Sequence, residues 1–330
     1  MKARNACRRL ARNRASASVA ALALVMALAW ALHRGAVGAG YRGLRLFAMA
    51  NGMEASSRGD EMLLSLPDGR KCVFKAGGTE ASILGTRAYL LFPARRRLGI
   101  WGISRADAET MLAPIFRPDS LEPRPLRNIV VDAGHGGKDS GALAGRLAEK
   151  NLNLAVALLV RTMLEERGYN VTMTRSSDET LPLERRVAIA EEAGCDLFLC
   201  IHFNSSDSAD AEGIESYTAN PPGTPSFFGS MGVDSPSARC LRENALLGHV
   251  VQSRLIRDTG AVDRGARRVQ HYVTRNLGCP AVLVELGFIS NAGERARAES
   301  EAYQRLVSEA LCAAIDEYAG LLRRNGADGP

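Results

Sequence analysis

No acidic residue stands before position 40 of this 330-residue chain, while Lys2, Arg4, Arg8, Arg9, Arg12, Arg14 and Arg34 are all basic. The net charge of +6 is therefore a property of one end. Setting those seven aside leaves 35 of the 42 basic residues against 36 acidic ones, a balance near −1. A body so balanced has no basic excess to track a phosphate backbone, so no nucleic-acid partner is expected. Cysteine spacing excludes a second class. None of the seven cysteines stands in C-x-x-C spacing, which argues against a thiolate metal site. Internal repeats are absent, and so is low-complexity sequence outside an alanine-rich beginning.

The one-sided charge at the beginning has a second meaning. Six cations precede an uncharged run from Ala15 to Leu32, and small residues follow at Val37-Gly38-Ala39. That order is expected of a signal peptide over residues 1–39, cut after Ala39. The run is almost long enough for a membrane helix, so a retained N-terminal anchor is the alternative. The protein is expected to be exported to the periplasm or cell envelope, and to meet a membrane only through this leader if it is uncleaved. Beyond the leader stand Cys72, Cys195, Cys200, Cys240, Cys279 and Cys312. Three of them, Cys195, Cys200 and Cys312, lie in apolar segments that read as core, so buried free thiols are expected.

Residues 40–118 read as a small α+β or β-rich N-terminal domain. Glu61–Leu66 and Lys71–Lys75 flank the turn Pro67-Asp68-Gly69, and Glu80–Leu84 and Arg87–Phe92 flank Gly85-Thr86, which predicts two hairpins. Ser104 to Asp107 starts a helix that Pro114 is expected to stop. The segment weakly resembles the copper amine oxidase N-terminal-like domains that precede bacterial envelope enzymes, and it holds no pair of histidines for a metal. A linker with prolines at 118, 123 and 125 follows, assigned to residues 119–125.

Residues 126–323 alternate apolar strands with helices, leaving 324–330 as a flexible tail. Strands are expected at Ile129–Val131, Asn170–Arg175, Leu197–Ser206, Gly213–Ala219 and Cys279–Phe288. Helices are expected at Lys150–Arg167, Leu183–Ala193, Ala238–Thr259 and Glu299–Arg323. This order predicts an α/β fold, phosphorylase/hydrolase-like, with a mostly parallel central sheet and helices on both faces. Pro221 to Ser237, rich in Pro, Gly and Ser, reads as a long loop.

Chemistry-bearing residues gather at strand ends. His135 follows the first strand inside Asp-Ala-Gly-His-Gly-Gly, His202 ends another, and Glu149 opens the helix after the first. Carboxyl ends of strands are where open α/β sheets keep their sites. Two imidazoles and a carboxylate leave a tetrahedral ion one open position, as in catalytic zinc. Glu285 lies inside an otherwise apolar strand, where a carboxylate is costly unless paired or working. Each piece has an ordinary alternative: a hydrogen-bonded loop histidine, a helix N-terminal acid favoured by the macrodipole, a paired structural carboxylate. Spacing does not decide between them. His249 and His271, the other histidines of this region, are expected on a helix surface and at a strand edge.

The blocks VDAGHGGKDSGA, EKNLNL, RSSDETLPLERRVAIA, LFLCIHFNSS, GIESY and CPAVLVELGFISN together resemble the zinc-dependent N-acetylmuramoyl-L-alanine amidases of bacterial cell walls, the amidase type 3 catalytic domain. The resemblance runs from Asn128 to Asn291 and on into the last helix. It implies Zn2+ held by His135, Glu149 and His202, with Glu285 as catalytic base. It also implies peptidoglycan as substrate, cut between N-acetylmuramic acid and L-alanine, and leaves room for division or envelope regulatory proteins as partners. Arg264-Gly265-Ala266-Arg267-Arg268 resembles the family's Arg-Gly-x-Lys segment, so Arg264 and Arg267 are candidates to grip stem-peptide carboxylates. Asn204, two residues past His202, is a third substrate-contact candidate. Some relatives carry an inhibitory helix where this chain has its Pro221–Ser237 loop, which is expected to be a rim or substrate contact instead. A zinc carboxypeptidase-like peptidase could use the same tools, and a catalytically inactive wall-binding protein would lack one of the four residues. All four are present.

Overall fold

The structure, a computed structural model, describes residues 40–228 and 231–323. The expected leader (1–39) and tail (324–330) lie outside the described residues. No helix among the described residues is long and apolar enough to cross a membrane.

The chain begins with β1 (Tyr41–Gly43), α1 (Leu44–Ala50), β2 (Glu54–Arg58), β3 (Glu61–Ser65), β4 (Lys71–Lys75), β5 (Glu80–Ile83), β6 (Thr86–Tyr89), β7 (Arg95–Arg97) and β8 (Ile100–Ser104). Both predicted hairpins form, β3–β4 and β5–β6, each antiparallel. A helical stretch, α2 (residues 105–116), follows, capped by Ser104, whose hydroxyl accepts from the Asp107 N–H. Pro114 does not end it. Residues Ala108–Leu112 form a wide π turn in which the Ala113 N–H reaches Ala108 O, five residues back. That register change takes up the hydrogen bond Pro114 cannot donate, and the helix runs on to Phe116.

The remaining elements are β9 (Asn128–Ala133), a tiny hairpin of β10 (Leu143–Ala144) and β11 (Leu147–Ala148), α3 (Glu149–Glu166), β12 (Asn170–Met173), α4 (Leu183–Glu192), β13 (Leu197–Asn204), β14 (Ile214–Thr218), α5 (Leu241–Thr259), β15 (Asp263–Arg268), α6 (Tyr272–Arg275), β16 (Ala281–Phe288), α7 (Ala292–Ala298) and α8 (Glu301–Arg323). Eleven strands make one sheet in the order β12-β9-β13-β16-β14-β15-β6-β5-β4-β3-β2. Strands β12, β9, β13 and β16 run parallel, β14 opposes β16, and β15 is parallel to β14. The sheet is thus mostly parallel where the later half of the chain builds it.

Alternation along the strands explains the two cores. Ile129, Val131, Leu199 and Ile201 face one side, in a core shared with Val156 and Val160 of α3, Val251 and Leu255 of α5, and Leu311 of α8. Val130, Phe198 and Cys200 face the other and pack with Ala190 of α4 and Val273 of α6. Strands covered on both faces are apolar throughout, which is why they read as continuous runs.

The early strands join the same sheet. Ala88 of β6 sits opposite Ala266 of β15, and the Arg87 N–H donates to Asp263 Oδ2 at 2.7 Å. Beside this seam, buried Asp107 pairs with Arg268 and accepts the Leu91 N–H at 2.8 Å. His249 departs from the expected helix surface. It is 7% exposed because α5 is enclosed on several sides, by β14, by α8 and by α2. His271 departs as well: it stands at the N-cap of α6 and packs edge-on against Tyr217, with ring centroids 5.1 Å apart.

Candidate metal centre

Strand β9 delivers the first histidine through a backbone only glycine permits. A Cβ on Gly134 would lie 2.2 Å from the His202 ring, so the chain passes that imidazole because residue 134 has none. His135 then adopts φ +59, a left-handed conformation uncommon outside glycine and found here at a site. Gly141 turns the loop back, and a Cβ there would meet Glu149 Oε2 at 2.5 Å. The loop thereby brings Glu149, at the start of α3, under both histidines.

The three side chains converge. His202 Nδ1 is 2.8 Å from Glu149 Oε1 and His135 Nε2 is 3.2 Å from Glu149 Oε2. One ligand atom from each of His135, Glu149 and His202 lies within 4.8 Å of the others. Among the described residues they are the one such group of three or more. Burial would raise the Glu149 carboxyl, but the two imidazoles outweigh it and hold the group well below the usual carboxylate range. For His135, burial disfavours the cation, and the Glu149 and Asp139 carboxylates reverse this and raise its pKa. Three nitrogen and oxygen donors this close, with the carboxylate ionised, fit a small divalent cation such as zinc.

Glu285 is held one strand away. It stands opposite His202 across the parallel pair β13–β16, and opposite Glu215 across the antiparallel pair β16–β14. Its Oε2 is buried without a hydrogen-bond partner. Burial first, then Glu149 and Glu215, push its pKa well above the ordinary value. An unpartnered carboxylate beside three ligand-type side chains is costly as structure alone.

Arg264, Arg267 and Asn204 gather on Glu215. Asn204 Nδ2 donates to its Oε1 at 2.7 Å, Arg264 Nε to its Oε2 at 3.0 Å, and Arg267 Nη1 to the same oxygen. Arg264 is part-exposed, whereas Arg267 is buried with its guanidinium 4.2 Å from the Phe227 ring and 5.1 Å from Tyr89. Two functional positions escape the sequence reading. Glu215 carries the same signal as Glu285, an acid inside an apolar strand. Asp139 Oδ2, 2.8 Å from His135 Nδ1, stands four residues past that histidine in a loop, where spacing alone gives no sign of contact.

Comparisons with known proteins point to one family. The family model described as N-acetylmuramoyl-L-alanine amidase matches residues 129–317. An uncharacterised Bacillus subtilis protein, YqiI, is 38% identical over 207 residues, covering 63% of this chain and 91% of its own. The B. subtilis N-acetylmuramoyl-L-alanine amidase LytC is 33% identical over 183 residues, 56% of this chain and 34% of that longer protein. Among solved structures, the catalytic domain of the amidase CwlV from Bacillus (Paenibacillus) polymyxa is 34% identical with a TM-score of 0.51, covering 59% of this chain and 99% of that one. The chain belongs to the N-acetylmuramoyl-L-alanine amidase family, hydrolases of the amide bond that ties stem peptide to glycan in bacterial peptidoglycan.

Proposed function

We propose that this amidase is zinc-dependent, with His135, Glu149 and His202 as ligands and Glu285 as general base and then acid. The observation that carries the reading is the convergence of two imidazoles and one ionised carboxylate next to an unpartnered buried carboxylate. A zinc ion in such a site lowers the pKa of water and polarises a carbonyl. The chain's own part is proton handling and orientation. Glu285 Oε2 takes the proton of the attacking water and returns it to the leaving alanine nitrogen. Glu149 is kept ionised by its Ala142 and Asn153 hydrogen bonds, at 2.9 and 3.1 Å, as well as by the histidines. Asp139 holds His135 Nδ1, which turns Nε2 toward Glu149.

Peptidoglycan as substrate puts the enzyme outside the cytoplasm, in the envelope or beyond it. Export by residues 1–39 is our reading of their charge and hydropathy. The test is mass spectrometry of purified peptidoglycan digested by the full chain, with zinc and with chelator. Stem peptides beginning at L-alanine and peptide-free glycan, lost on chelation and restored by zinc, are expected. Amide cleavage unaffected by chelation overturns the zinc assignment.

A further inference from the structure

Two thiols meet beneath the catalytic strands. Cys195 closes the turn after α4, its N–H donating to Ala190 O at 3.0 Å, and leads into β13. Cys279 leads through Pro280 into β16. Those strands are parallel neighbours, with Phe198 opposite Ala281 and the Phe198 N–H donating to Pro280 O at 2.9 Å. Cys195 and Cys279 thus stand three and two residues before the paired positions Phe198 and Ala281 on neighbouring strands. Neighbouring strands lie about 4.8 Å apart, within the Cα separations of about 4.4–6.8 Å that a disulfide spans. The two side chains are neighbours, the Cys195 thiol acting directly on that of Cys279. Cys279 is buried in the core beneath α4 and α6, and half-buried Cys195 packs against that core.

The other cysteines have different neighbours. Cys72 Sγ accepts the Leu84 N–H at 3.4 Å, Cys200 sits on Asp132 at 2.9 Å, and Cys312 faces Val160 O at 3.8 Å. Cys240 Sγ reaches the carbonyl of Cys279, at 3.2 Å. None of the six cysteines among the described residues is joined in a disulfide in this structure.

We propose that Cys195 and Cys279 are joined by a disulfide in the exported protein, tying together the starts of the two strands that carry His202 and Glu285. An envelope substrate places the enzyme where thiols are not kept reduced by the cytosol. In the reaction each thiol gives up one proton and one electron as the S–S bond forms. The two electrons and two protons pass to a disulfide-bearing oxidant, an envelope thiol oxidase or oxidised glutathione, which is reduced to two thiols. In the finished fold the neighbouring Cys195 thiol, and then burial, raise the Cys279 thiol, and oxidation needs thiolate. The bond therefore forms while β13 and β16 are docking, before the pair is enclosed.

The experiment is peptide mapping of the full chain, refolded from the reduced state in oxidised glutathione and, separately, recovered after export. Both samples are quenched with N-ethylmaleimide under denaturing conditions and digested without reductant. The expected result is one cross-linked peptide containing Cys195 and Cys279, about 2 Da lighter than the sum of its thiol forms, with Cys72, Cys200, Cys240 and Cys312, and Cys7 where the leader is retained, alkylated. Reductant should lower the melting midpoint of the wild type by roughly 5–15 °C and leave Cys195→Ser, already lowered, unmoved. Full alkylation of Cys195 and Cys279 in both samples overturns the proposal, as does a link from Cys279 to Cys240. A wild-type midpoint insensitive to reductant also overturns it.

Discussion

Glu285 and His202 are register partners across β13 and β16, so a carboxylate and an imidazole project side by side from one face of the sheet. The fold produces this juxtaposition from two apolar strands, each with one polar residue at the same height. Glu149 reaches the same point from a helix, which requires the loop after β9 to fold back. The site thus has two residues fixed by the sheet, His202 and Glu285, and two fixed by the loop after β9, His135 and Glu149, and substitutions should separate them.

Asp139 tests the loop part. Its carboxylate is 2.8 Å from His135 Nδ1, is largely exposed, and also accepts the Gly141 N–H at 3.1 Å. Asp139→Asn should weaken zinc binding by about 10–100-fold, the usual effect of removing such a histidine partner, with the melting midpoint changed little. Competition titration against a chelator measures it. Unchanged affinity would make Asp139 a loop residue only.

Arg264 and Arg267 should behave differently although both pair with Glu215. Arg267 is buried with its partner, so Arg267→Ala leaves buried Glu215 with part-exposed Arg264 as its remaining cation and should cost about 3 kcal/mol of stability. Arg264 is part-exposed, and Arg264→Ala should cost about 1 kcal/mol or less. A raised KM for peptidoglycan in Arg264→Ala, at unchanged stability, would assign that guanidinium to substrate. Denaturant unfolding alongside wall-digestion kinetics separates the two effects.

His249 gives a pH signature remote from the metal centre. Burial, then Arg70, lowers its pKa to about 4 from 6.5. Between those values the unfolded chain binds a proton that the folded chain does not. Stability is therefore lost as pH falls from 6.5 toward 4, by about 3 kcal/mol in all for this one group. His249→Met should show a smaller difference in melting midpoint between about pH 7.5 and about pH 5 than the wild type. An equal difference would mean His249 contributes none of the acid sensitivity.

The catalytic half is legible in sequence because its strands are buried on both faces and its helices are amphipathic; His135, Glu149, His202 and Glu285 stand out as polar residues at the ends of, or inside, apolar runs. The partners that hold them do not. Asp139 and Glu215 matter through what they touch, and contact across strands is not written in local spacing. Enclosure of α5 hides His249 in the same way, since a helix packed on several sides does not show a single apolar stripe. Pro114 reads as a stop because local propensity weighs against it, and the π turn that accommodates it leaves no plain sequence mark. The joining of β6 to β15 is equally silent: Ala88 and Ala266 are small residues that carry no sign of pairing.

Glu285 is assigned to the proton and not to the metal, and everything proposed for the site's chemistry turns on that division. The most direct measurement is Glu285→Gln, assayed together for zinc content and for release of stem peptides from purified peptidoglycan. The expected result is zinc content equal to that of the wild type, with turnover down by about 10³-fold or more, the scale on which a general acid–base acts. Loss of zinc in the variant would move Glu285 into the ligand set, and near wild-type turnover would remove it from the chemistry.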